Sequence, residues 1–124
     1  MSDRSEGLSV LVADADPEVR QALGLLCEQA LDFTVAGEAV RTEDVLRLTA
    51  ALRPKIVLLD WNLPGDPPVS ATLLNELRQG HPPRIVILGA RPEAQKDALA
   101  IGAEAFICKG DPPDRLLAVL RGLM

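Results

Sequence analysis

Ile56-Val57-Leu58-Leu59-Asp60, running into Trp61-Asn62-Leu63-Pro64-Gly65, decides how the rest of this chain is read. Four apolar residues without a polar interruption, bounded by turn residues, read as a strand buried on both faces, the habit of a parallel sheet. The strand closes on a carboxylate. Its carboxyl end is the edge where open α/β sheets place their ligand sites.

Four more short apolar runs lie on either side: Leu8–Ala13, Phe33–Gly37, Arg84–Leu88 and Ala105–Cys108. Between them, Pro17–Leu31, Thr42–Leu52, Val69–Gln79, Pro92–Ile101 and Pro112–Leu123 carry apolar residues at three-to-four spacing, as Val19, Leu23, Leu26 and Ala30 show in the first. Asp16-Pro17 sets an N-cap acid before a proline suited to the first helical position, and Asp111-Pro112 repeats the pattern at the last helix. Thr42 is the expected cap of the second helix, with Glu43 and Asp44 in its first turn. Gly80 and Gly102 mark the ends of the third and fourth helices. Strict strand-helix alternation predicts one α/β domain with a doubly wound parallel sheet and helices on both faces. Asp14, Ala15 and Asp16, then Asp60, Gly89 and Lys109 then share one sheet edge.

Composition excludes several classes. A chain of 124 residues is one domain with room for a real core. A net charge of −5 disfavours nucleic acid, whose phosphates call for a basic footprint. Phe33, Trp61 and Phe106 are the only aromatics, too few for recognition by base stacking. No apolar run approaches a membrane span, and Met1-Ser2-Asp3-Arg4-Ser5-Glu6 does not read as a signal peptide, so the cytoplasm is the expected compartment. Cys27 and Cys108 have no metal-ligand spacing and are expected to be reduced, buried thiols. His81, in Gly80-His81-Pro82-Pro83, is expected on a surface loop.

Three segments in order carry a family resemblance. Val10-Leu11-Val12-Ala13-Asp14-Ala15-Asp16-Pro17-Glu18-Val19-Arg20, Arg53–Gly65 around Asp60, and Ala100-Ile101-Gly102-Ala103-Glu104-Ala105-Phe106-Ile107-Cys108-Lys109 resemble the receiver domain of bacterial two-component response regulators, in particular the NarL/LuxR group. The resemblance implies a flavodoxin-like (βα)₅ fold with strand order 2-1-3-4-5, and a single receiver domain over residues 1–124 with no output domain in the chain. It implies a phosphoryl group accepted at Asp60. Mg²⁺ would be held by Asp14, Asp60 and the backbone carbonyl of Asn62. Lys109 would pair with the phosphoryl oxygens, and Ala90 would leave them room. Phe106 would stand where the family has an aromatic that turns inward on activation. The implied partners are a sensor histidine kinase or a small phosphodonor, and a protein or second copy on the face of the fourth helix, fifth strand and fifth helix. Membrane and direct nucleic-acid binding are not implied.

Two positions depart from the family. Ala15 stands where a second acid usually binds the metal, which weakens the Mg²⁺ site unless Asp16 substitutes. Gly89 stands where a Thr or Ser hydroxyl couples the phosphoryl group to the aromatic switch. Arg91 lies close enough in sequence to reach the same edge. Three functions follow: a phosphoreceiver with weakened metal chemistry, a phosphorylation-independent interaction module, and a haloacid-dehalogenase-type phosphohydrolase suggested by Asp14-Ala15-Asp16. The first is the expectation, and no turnover enzyme is expected.

Overall fold

The computed structural model describes residues 8–123. The amino-terminal stretch expected not to be a signal peptide lies outside them. Five strands, β1 (Ser9–Ala13), β2 (Thr34–Ala39), β3 (Ile56–Asp60), β4 (Arg84–Gly89) and β5 (Ala105–Cys108), alternate with five helices. These are α1 (Pro17–Leu31), α2 (Thr42–Leu52), α3 (Ala71–Leu77), α4 (Gln95–Ala100) and α5 (Pro113–Gly122). All neighbouring strands pair in parallel, in the order β2-β1-β3-β4-β5.

Successive side chains of a strand point to opposite faces, and the core divides accordingly. Leu11, Val57, Leu59, Ile85 and Ile87 pack with Val45 of α2, Leu73, Leu74 and Leu77 of α3, and Ala98 of α4. Val10, Val12, Leu58, Val86 and Ile107 pack on the other face with Cys27 of α1 and Leu116 and Leu120 of α5. Every residue of β3 is buried, as its apolar run requires.

Several boundaries move for local reasons. β2 extends to Ala39 because Gly37, Glu38 and Ala39 pair with Leu11, Val12 and Ala13. α3 begins at Ala71, because the Ser70 hydroxyl accepts the Leu73 N–H and so caps the helix there. The fourth helical stretch opens as a 3-10 turn, Pro92–Ala94, before α4. Asp16 caps α1 as expected, accepting the Glu18 N–H at 2.9 Å. Thr42 does not cap α2. Pro64 O accepts its N–H at 2.9 Å, so it already sits inside the helix and Arg41 occupies the cap position without a side-chain bond. Asp111 does not cap α5 either. The helix starts one residue late, at Pro113, and the Asp111 carboxylate pairs with Arg115 at 3.3 Å instead. Cys27 is buried, but Cys108 is only half-buried, since β5 ends there. No helix among the described residues is long and apolar enough to cross a membrane.

Candidate functional site

Parallel strands deliver their carboxyl ends to one edge, and there three charged side chains meet. Asp14 follows β1 and is 3% exposed; Asp60 ends β3 and is 9% exposed. The Lys109 ammonium, just past β5, reaches both, 2.7 Å from Asp14 Oδ2 and 3.1 Å from Asp60 Oδ1. Two nearly buried carboxylates this close destabilise one another unless a cation sits between them. Burial acts to lower the Lys109 pKa, but its hydrogen bonds to Asp14 and Asp60, with their charges, outweigh it and hold the ammonium above the usual lysine range.

Backbone groups fix the carboxylates further. Asp14 Oδ1 accepts the Asp16 N–H at 2.9 Å, and Asp60 Oδ1 accepts the Asn62 N–H at 3.2 Å. The Asn62 loop is itself strapped to the start of α2, where Thr42 donates to Pro64. Gly65 has φ +132°, and a Cβ there would collide with Thr42 Oγ1, so the strap requires glycine. Glu43 lies against the same loop. Its own backbone N–H holds its carboxyl below the usual range, against desolvation, with Arg41 and the Asp66 backbone adding to the lowering.

The other candidate residues separate into those at the site and those turned to other work. Asp16 commits Oδ1 to capping α1. Ala15 brings only a methyl group. Ala90 is exposed beside the site, its carbonyl 3.6 Å from Cys108 Sγ. Arg91 is exposed and forms no ion pair among the described residues, so it does not hold Asp60. Trp61 is half-buried and packs on the core. Phe106 is 6% exposed, with its ring turned in against Gly89. A Cβ added at residue 89 would lie 2.9 Å from two atoms of that ring. The missing side chain at 89 and the buried ring at 106 are thus one packing arrangement: the aromatic fills space that a Thr or Ser would need.

Arg20 has a role that its sequence context hides. Its Nη1 donates to the Asp14 carbonyl at 2.8 Å and the Ala15 carbonyl at 3.3 Å, while Nε pairs with Glu38 on β2 at 2.9 Å. One guanidinium therefore holds the loop that carries Asp14. A basic residue one turn into a helix, with an acid on the neighbouring strand, was the available signal.

The sequence matches the family model of the response regulator receiver domain over residues 10–121. It is 30% identical over 118 residues to the nitrate/nitrite response regulator protein NarL of Escherichia coli (strain K12), covering 93% of this chain and 54% of that protein. It is 29% identical over 119 residues to the transcriptional regulatory protein YdfI of Bacillus subtilis (strain 168), covering 91% and 55%. The chain thus spans about half the length of the curated relatives it matches. A LuxR-family two-component response regulator from Aurantimonas sp. SI85-9A1 superposes with a TM-score of 0.80 at 25% identity, covering 93% of this chain and 83% of that one.

Proposed function

Because the chain belongs to the response regulator receiver domain family, we propose that it takes part in two-component signalling by accepting a phosphoryl group on Asp60. The observation that carries the proposal is the Asp14–Lys109–Asp60 cluster, an acid at a strand end with a cation bridging it to a second acid. An Asp60 carboxylate oxygen forms the bond to phosphorus as the bond from phosphorus to the donor's leaving group breaks, and the leaving group keeps that electron pair. Such transfer depends on positioning and charge neutralisation. Lys109 supplies one charge, and the Asn62 N–H steadies the nucleophile. The residue is modified, so the domain is a phosphoryl recipient and not a turnover catalyst. Its donors would be a sensor kinase or a small acyl phosphate, met in the cytoplasm.

The donor set fits Mg²⁺ sparingly. Asp14, Asp60 and the Asn62 carbonyl would hold it, with water filling the rest of an octahedral shell. Bound there, the metal would neutralise phosphoryl oxygens. Ala15 leaves the set one acid short of the two that the resemblance places after β1. Asp16 is no ready substitute while it caps α1.

A second reading draws on a separate observation. Phe106 is buried against Gly89, which offers no hydroxyl to link its ring to a phosphoryl group, and this favours an interaction module whose surface does not depend on phosphorylation. Mass spectrometry after incubation with Mg²⁺ and acetyl phosphate separates the two. A gain of one phosphoryl group that Asp60→Asn abolishes supports acceptor function. An unmodified protein overturns it and leaves the interaction module. The phosphohydrolase alternative requires phosphatase turnover that Asp14→Asn abolishes; Asp14 is instead committed to Lys109 and the Asp16 N–H, and Asp16 commits Oδ1 to capping α1, so no turnover is expected.

A further inference from the structure

At the amino ends of the strands, opposite Asp60, the charge balance reverses. Arg53, Lys55, His81 and Arg84 line a cavity of about 630 Å³ in which, among the described residues, no acidic side chain takes part. This is unexpected in a chain of net charge −5. Among the described residues Arg53, Lys55, Arg84, Arg91, Lys96 and Arg121 form no ion pair. Three of those six meet in this one cavity. Like charges gathered in one place repel one another, an arrangement that an anion would relieve.

The backbone beneath them is rigid. Lys55 N–H donates to Ser9 O at 3.0 Å, Arg84 N–H donates to Lys55 O at 2.9 Å, and Ile56 pairs with Arg84 in the sheet. Arg53 ends α2 at φ +51°, a left-handed conformation that glycine or asparagine adopts with less strain. An arginine kept there lines the cavity at a local backbone cost. The remaining wall is apolar: Leu8, Pro54, Ile56, Pro82 and Leu123. A volume in the range of small-molecule sites, an apolar wall and a cationic rim suit a compact ligand better than a flat partner surface. Guanidinium groups match phosphate oxygens in paired hydrogen bonds.

We propose that this cavity binds a small organic phosphate, its phosphate on Arg53, Lys55 and Arg84 and its apolar body on Leu8, Pro82 and Leu123. The assignment is independent of phosphoryl acceptance at Asp60. The test is calorimetry on the full 124-residue chain at low salt with AMP, inorganic phosphate, adenosine and a glutamate-rich peptide as probes. AMP is expected to bind at least about tenfold tighter than inorganic phosphate or adenosine. Lys55→Gln/Arg84→Gln should weaken AMP by about tenfold or more, whereas Asp60→Asn should leave it unchanged. His81 is the single histidine, so its ring resonances should shift on titration with AMP. No AMP binding at millimolar concentration overturns the proposal. So does equal binding by the double variant, or a peptide that binds as tightly as AMP.

Discussion

At the scale of the residue, Gly89 and Phe106 act as one unit. Gly89→Ala forces a methyl to within 2.9 Å of the ring and should cost about 1–3 kcal/mol of stability. Phe106→Leu in the same chain should recover part of that loss, so a double-mutant cycle by chemical denaturation should show coupling. Gly89→Thr should behave no better, and it should not by itself give a phosphodonor-dependent structural change. Ala15→Asp supplies the missing acid beside Asp14 and should tighten Mg²⁺, read through quenching of Trp61 next to the acceptor. An unchanged affinity would count against a metal at this edge. The two thiols should also separate. Burial first, and Glu28 second, push the Cys27 thiol up from 9.0 to about 11, so it stays protonated and unreactive at neutral pH. A thiol reagent should label half-buried Cys108 well ahead of Cys27 in the native protein. With a folded pKa above the unfolded one, the stability from Cys27 is full below about pH 9 and is lost as pH rises through about 11. Alkaline denaturation should therefore be delayed in Cys27→Ser relative to its own neutral stability.

At the scale of the element, two Asp-Pro pairs that look alike in the sequence do different things. Asp16→Ala removes a real cap and should cost about 1 kcal/mol by thermal or urea denaturation. Asp111→Ala removes only an exposed i,i+4 pair and should cost no more than about 0.5 kcal/mol. Arg20→Met takes away a charged donor to two carbonyls and should cost about 1.5–3 kcal/mol. It should also slow modification of Asp60 without abolishing it, because the loop holding Asp14 loosens. These contrasts mark where sequence reasoning stops. Strand and helix order followed from apolar periodicity, and β3, β5, α1 and α2 end where that periodicity ends. Asp16 caps α1 as its context suggests, but the other two expected caps did not follow, because whether Thr42 or Asp111 caps a helix depends on a competing partner far along the chain, Pro64 O in the first case, or on a one-residue shift in the helix start.

At the scale of the whole molecule, the candidate site was legible because parallel strands bring Asp14, Asp60 and Lys109 to one edge wherever they lie in the chain. Both Arg20's hold on the Asp14 loop and the packing of Phe106 into the place of a residue-89 side chain were hidden, since each depends on three-dimensional proximity and not on spacing. The packed ring bears on how the two ends of a signal would communicate. Coupling between two binding events requires a part of the protein that both events move, and linkage makes that coupling reciprocal. With glycine at position 89, no hydroxyl ties the ring of Phe106 to the phosphoryl group, so that link between the two events is missing. A partner that reads the β5 face around Phe106 should then bind with the same affinity whether or not Asp60 carries beryllofluoride. By reciprocity, the same partner should leave the lifetime of the acyl phosphate unchanged. The two occupancies would vary independently, and the abundance of this chain, not its phosphorylation, would set how much partner is bound.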